Sequence, residues 1–339
     1  MNIPTEHFKK AMSILGMSIG TKANLPPATK LIELSTKDGN LYGYTYNQVC
    51  FVKYRICSAD EDIDVTVDYN TLCSLVKGVD GDTIKITSTD KTIVFKTDKF
   101  TTKLPCYSSQ NNERLIKYPV EDMDEVNHFD ADLKDYLIIT KYINQKIGVL
   151  CYKGVYFGNT IMVSDINNVA IIRDHLFPKD VLLNAESVNL LNTIKEFDYS
   201  IVDGGKYPKI VIKTDRINAT IITMPKDEFQ YADYMELYDM PIDNNIEVDR
   251  KDLVDAISTA NKLKITKVEL LFSDKGIFIR NNNIDFLYQV TSTSCTACSY
   301  NVSLEFLSKW LIGDRITIFY GNEDFIKIVS GIKELCLGI

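Results

Sequence analysis

The sequence predicts an α+β protein made of three tandem copies of one unit, each with two helices packed on antiparallel strands. Three observations predict it. First, residues 153–170, KGVYFGNTIMVSDINNVA, alternate like a hairpin, with Val155 and Phe157 before a Gly158-Asn159 turn and Ile161 and Val163 after it. Similar stretches open at Gly39 and Gly276, and Gly39, Gly154 and Gly276 lie 115 and 122 residues apart. Second, from each of these glycines to the residue before the next helix is 28, 29 and 26 residues (to Val67, Leu183 and Val302). Third, 339 residues exceed one ordinary core, so two or three domains are expected.

Taken in order, residues 5–16 form the first helix, with Phe8, Ala11, Met12 and Leu15 on one stripe and Thr5 as its cap. Leu25-Pro26-Pro27 ends the helical stretch, and strands follow through residue 67. Asp68 caps a second helix with Leu72, Leu75 and Val76 inward, and alternating strands lead to Leu104-Pro105. Residues 107–127 are polar and read as a linker. The order then repeats. A helix is expected over 132–145 with Leu133, Tyr136, Leu137 and Thr140 on one face, and Asn184 caps another bearing Leu190, Leu191 and Ile194. A second acidic linker, 226–245, leads to a third unit. There Asp249 opens a helix with Leu253, Ala256, Ile257 and Ala260, and Ser303 opens one with Leu304, Leu307 and Leu311. The domains predicted are 1–115, 116–240 and 241–339.

Composition narrows the function. Apolar residues make up 45% and charged residues 25%, as in soluble globular proteins. No apolar run reaches the roughly 18 residues of a membrane span, and no secretory leader pattern is present, so a cytoplasmic protein without a membrane partner is expected. The net charge of −8 argues against a surface that grips nucleic acid everywhere, but leaves room for a small basic surface within an acidic shell. The eight cysteines suit a reducing compartment, and Cys295-Thr-Ala-Cys298 is the single CxxC, without a second pair or a nearby histidine. His7, His128 and His175 form no catalytic or metal-binding pattern. Asp203-Gly204-Gly205-Lys206 lacks the full phosphate-loop pattern and reads as a hairpin turn, and Asp60-Glu61-Asp62-Asp64 reads as a solvated loop. No enzyme, cofactor or metal is expected.

The order and spacing of the whole chain resemble the bacterial-type DNA polymerase III β sliding clamp family. Local matches are Leu25-Pro26 after the first helix, Ser164-Asp165-Ile166-Asn167-Asn168-Val169-Ala170 in the middle unit, and Asn301-Val302-Ser303 before the last helix. The resemblance implies a homodimer closed head to tail into a six-domain ring, with helices lining a hole that takes duplex DNA irrespective of sequence. It also implies a clamp loader ATPase and a DNA polymerase as partners. The Lys-, Ile- and Asn-rich composition suits a phage or a low-GC bacterium.

A sliding ring should meet phosphates and avoid base edges. The helix windows 5–16, 68–77, 132–146, 184–197, 249–264 and 303–312 together carry +2, against −10 for the rest of the chain. By resemblance, Lys22, Lys77 and Lys146 stand at DNA-contacting positions. Helix placement adds Lys9, Lys10, Lys141, Lys195, Arg250, Lys262, Lys264 and Lys309. The family often has a basic pair where this chain has Ala185-Glu186. The resemblance further implies an apolar pocket for a partner peptide at Tyr152, Ser164, Ile166, Val169, Pro241, Leu335 and Leu337. The rival reading is a scaffold of the same fold that binds only proteins, without encircling DNA.

Overall fold

The computed structural model describes residues 1–89, 91–106, 119, 122–131, 133–134, 136–143, 146–203, 206–309, 315–331 and 333–338, with the side chains of 306, 309 and 338 excepted. Three repeats of eight strands account for the strands among the described residues. The first contains β1 (Asn2–Pro4), α1 (Thr5–Leu15), β2 (Leu31–Lys37), β3 (Asn40–Tyr46), β4 (Cys50–Ser58), β5 (Asp64–Asp68), α2 (Tyr69–Lys77), β6 (Thr83–Ser88), β7 (Thr92–Lys96) and β8 (Thr101–Pro105). The second contains β9 (Asn127–Asp130), β10 (Gly154–Phe157), β11 (Ile161–Ser164), β12 (Asn168–Ile172), β13 (Val181–Asn184), α3 (Ala185–Ile194), β14 (Glu196–Val202), β15 (Lys209–Lys213) and β16 (Ile217–Ile222). After α4 (Tyr231–Asp239) the third contains β17 (Asn244–Asp249), α5 (Arg250–Lys262), β18 (Lys267–Ser273), β19 (Gly276–Asn281), β20 (Phe286–Thr291), β21 (Cys298–Ser303), α6 (Leu304–Lys309), β22 (Arg315–Tyr320), β23 (Phe325–Ser330) and β24 (Lys333–Gly338).

Each repeat makes two antiparallel half-sheets: its first strand with its last three, and its second to fifth strands together. The half-sheets join by one rule. In the sheet β5-β2-β3-β4-β16-β15-β14-β9 the seam pairs β4 with β16, from Cys50↔Ile221 to Tyr54↔Ile217. In β13-β10-β11-β12-β24-β23-β22-β17 the seam pairs β12 with β24, from Asn168↔Leu337 to Ile172↔Lys333. Two half-sheets stay four-stranded, β1-β6-β7-β8 and β20-β19-β18-β21. Their outer strands β8 and β20 hold the positions that are paired in the two seams.

The chain divides into two compact units that follow these shared sheets: 1–133 with 186–223, and 134–185 with 224–339. Both are cored by alternating strand residues and helix stripes. In the first unit, Phe8, Ala11, Met12 and Leu15 of α1 and Leu72, Cys73 and Val76 of α2 are buried. The Tyr69 phenol ties the pair by donating to the Met12 carbonyl (2.6 Å), and Gly16 leaves room for it, since a Cβ there would lie 2.2 Å from the Tyr69 oxygen.

Several expectations are corrected. Thr5 is the first helical residue, not the cap, and Pro4 precedes it without a side-chain cap. Asp68 and Asp249 do cap their helices, accepting from the Thr71 and Lys251 amides at 2.8 Å. The helix expected over 132–145 is replaced, among its described residues, by turns and a 3-10 turn at Ile139–Tyr142. Ile138, Ile139, Thr140 and Ile143 are β-branched and disfavour helix, and among the described residues Leu133, Ile139 and Tyr142 are the side chains buried. Conversely, the supposed linker 226–245 contains α4. Gly154 is also not the counterpart of Gly39 and Gly276: it is extended (φ −130°, ψ 176°) and opens β10, while the hairpin turn follows at Gly158. The predicted end of α6, including Leu311, and the linker residues 107–118 lie outside the described residues.

Candidate nucleic-acid and partner interfaces

The predicted DNA-facing cations divide between the units. In the first unit Lys10, Lys22, Lys77 and Lys195 are exposed and Lys9 is partly so, 3.4 Å from Glu6. Lys22 sits in the turn after α1, where its carbonyl accepts from the Leu25 amide (3.3 Å). Lys77 lies in the last turn of α2, a placement that the helix dipole favours. In the second unit Lys141, Lys146, Arg250, Lys262 and Lys264 are exposed, and the Lys309 side chain lies outside the described residues. Of the helix expected to carry Lys141 and Lys146, the described part is a 3-10 turn ending beside Lys141.

Three of these cations stand where local energetics disfavour them. Arg250 opens α5, at the positive end of the helix dipole. Lys195 and Lys264 follow α3 and α5 in the left-handed conformation, φ +70° and +59°, which glycine adopts at lower cost. Glu186, at the place of the family's basic pair, accepts from the Asn47 side-chain amide (3.2 Å), so the carboxylate has a structural use.

The predicted pocket residues occupy three places. Tyr152 and Val169 belong to an apolar cluster in the second unit with Tyr156, Met162, Ile171 and Cys336. Ser164 and Ile166 make the turn between β11 and β12, the Ile166 amide donating to the Ser164 hydroxyl (3.0 Å). Ile166 is 50% exposed and has φ +82°, an unusual conformation for a β-branched residue. Leu335 and Leu337 are buried, but register pairs them with Ala170 and Asn168, so they face away from Val169 and Cys336. Pro241 is exposed beyond α4.

The cluster face is already covered. Phe229 stacks on Tyr156 (5.1 Å between centroids, 6° between planes), and Tyr231 stacks on it as well (4.8 Å). Tyr234 meets Tyr152 edge-on at 6.3 Å. Tyr152 donates to the Gln230 side chain (3.2 Å), and the hydroxyls of Thr160 and Tyr231 lie 3.0 Å apart. At the far end the Lys327 ammonium sits 4.0 Å from the Tyr238 ring centre and donates to the Tyr238 carbonyl (3.1 Å). Arg173 bridges Glu334 (2.7 Å) and Asp239 (3.2 Å). Burial, then the nearby charge of Arg173, lowers the Lys327 pKa from its ordinary value. Sequence reading missed this latch. Tyr231, Tyr234, Met235 and Tyr238 do recur at i, i+3, i+4 and i+7, but the acidic residues among them made the stretch resemble a linker.

The remaining chemistry-bearing motifs take structural places. Cys295 is buried and Cys298 partly so, and burial raises both thiol pKa values, keeping them protonated. Glu61 pairs with the Met1 ammonium (2.8 Å) and Asp62 accepts from Thr36 (3.2 Å). No described helix is long and apolar enough to cross a membrane.

No family model matches the sequence, and no curated protein does. Solved structures match it throughout. A Thermotoga maritima DNA polymerase III β subunit aligns at TM-score 0.83 and 12% identity, over 100% of this chain and 98% of its own. The Pseudomonas aeruginosa β subunit aligns at 0.79 and 14%, over 100% and 98%. A Helicobacter pylori β clamp bound to a DNA ligase peptide aligns at 0.78 and 14%, over 100% and 99%. Over its whole length, the chain has the fold of the bacterial β clamps.

Proposed function

We propose that two copies of this chain close head to tail into a ring around duplex DNA and tether a DNA polymerase to it, doing no chemistry themselves. The carrying observation is the seam rule. The third strand of a repeat's inner half-sheet, β4 or β12, pairs with the last strand of the next repeat, β16 or β24. In the third repeat the corresponding strand is β20, and among the described strands both β20 and β8 of the first repeat are sheet edges without a seam partner. Pairing β20 of one copy with β8 of another continues the rule, and doing so twice uses up both edges. Leu287 on β20, 60% exposed, would be covered by that pairing.

In this reading the domains are 1–115, 116–240 and 241–339, six in the ring. The lysines and arginine named above hold DNA through phosphates alone, which permits sliding. Arg250, Lys195 and Lys264 support it, because each occupies a position its helix does not favour. A ring without ends requires an opener, so an ATP-driven loader is a further partner. Proteins of the replication machinery dock through peptides on the face of the second unit that contains Tyr152 and Val169.

Light scattering across a dilution series tests the ring. A mass of twice the 38.5 kDa chain is expected, falling to one chain when Phe286 and Leu287 are both replaced by lysine. A persistent monomer or a trimer overturns the six-domain ring. A dimer that is never retained on circular DNA favours the scaffold that binds only proteins.

A further inference from the structure

The aromatic face of the second unit is filled by the chain's own α4, and several features make that seating weak. The N-terminus of α4 has no side-chain cap, among the described residues the carbonyls of its last turn are tied from outside only through Lys327 on the Tyr238 carbonyl, and nine residues are too few for a helix to persist alone. Asp239 ends the helix at the negative pole of its dipole. The Tyr238 hydroxyl is buried without a hydrogen-bond partner, and so is one Glu334 oxygen. Yet the face is well shaped for aromatics, with Tyr152 and Tyr156 presenting rings on one side and Lys327 and Arg173 rimming the other.

We propose that α4 is a displaceable occupant of this face, and that an acidic amphipathic peptide of a partner protein takes its place, with two aromatic residues four positions apart followed by a carboxylate. The template is α4 itself: Tyr234 and Tyr238 are the aromatics and Asp239 is the carboxylate that Arg173 holds. Lys327 and Arg173 select for negative charge, since each is partly desolvated and lies beside the other. That the partner belongs to the replication machinery rests on the proposed function; that the face exchanges its occupant does not. In the resting protein α4 excludes weak ligands by its high local concentration, and only a partner with matching chemistry displaces it.

The test uses the full chain and a fluorescent synthetic peptide of residues 226–241, followed by anisotropy. Asp239→Lys in the protein places an ammonium beside Arg173 and Lys327, unlatching α4 while leaving every apolar contact intact. Peptide affinity is expected to rise at least tenfold over the unaltered protein. A peptide with Tyr234→Ala and Tyr238→Ala should lose binding, and Arg173→Glu added to the Asp239→Lys protein should weaken it again. In the unaltered protein, amide exchange of 231–239 should be at least 100-fold faster than that of 161–172. No gain in Asp239→Lys, or α4 amides as protected as those strands, overturns the proposal and makes α4 permanent core. Neither readout involves DNA or ring closure. A locked α4 in a dimer that encircles DNA sinks this inference alone, and an exchanging α4 in a permanent monomer sinks the ring alone.

Discussion

Lys195 and Lys264 show how a single backbone angle separates folding from function. Each stops a helix in the left-handed region, where a side chain costs up to about 1 kcal/mol relative to glycine. Lys264→Gly is therefore expected to raise stability by roughly 0.5–1 kcal/mol in urea unfolding, while weakening DNA binding through the lost charge. Lys262→Gly, inside the last turn of α5, should lower both. His128 gives a pH-dependent counterpart. Its hydrogen bond to Asp198 (2.9 Å), with Asp198, Glu196 and Asp130 nearby, raises its pKa above the ordinary 6.5. A raised pKa means the interaction stabilises the fold fully below pH 6.5 and is lost as pH rises through the folded-state value. NMR titration of the His128 ring should show the upward shift, and Asp198→Asn should remove most of it. The stability difference between the two proteins should shrink steadily as pH rises above neutral.

At the scale of elements, the hairpin into β19 depends on Gly276. It has φ +123°, and a Cβ would lie 1.9 Å from the Thr291 carbonyl oxygen, which backbone cannot vacate. Gly276→Ala is expected to cost about 3 kcal/mol or more, lowering Tm by several degrees. Gly39→Ala, at φ +70° with open space around it, should cost only about 1 kcal/mol. The two glycines are equally visible in the sequence; their unequal weight is not, because it depends on how closely β20 approaches. The same limit runs through the fold. Repeat order, the caps Asp68 and Asp249, and the stripes of α1 and α5 are legible because they are local patterns of 3.6 or 2 residues. The segment 132–145 misleads because a stripe of helical spacing, Leu133, Tyr136, Leu137 and Thr140, runs into the β-branched Ile138, Ile139, Thr140 and Ile143, and its described residues bury Leu133, Ile139 and Tyr142 from turns. α4 escapes because its acidic composition hides a stripe of three tyrosines and Met235 whose partners lie on strands distant in sequence. The pocket residues were mixed from two sheet faces, since a one-residue difference in strand position reverses a side chain and only the β12/β24 register decides it.

At the scale of the molecule, the charge distribution makes the proposed ring and its proposed grip on DNA separately testable. The chain carries −8, so long-range attraction to DNA is weak and must come from few cations. Counterion release then predicts a shallow dependence of affinity on salt, with a slope of about −0.9 for each phosphate contacted. Lys77 is exposed in the last turn of α2, and its reversal removes one such contact without touching the buried Leu72, Cys73 and Val76. Lys77→Glu is therefore expected to reduce the slope, measured on linear duplex with free ends, by about 0.9 and to weaken binding equally on unrelated sequences. Retention on closed circular DNA obeys different physics. In the proposed ring, with the edge strands β20 and β8 of two copies paired, release requires opening that backbone pairing, which salt screens little, or loss of the circle's closure. The Lys77→Glu protein, once loaded on circular DNA, should stay there at a salt concentration that strips it from linear DNA, and linearising the circle should release it. Release from both forms at the same salt would mean that charge alone holds the DNA, and the seam rule would then not describe a closed ring.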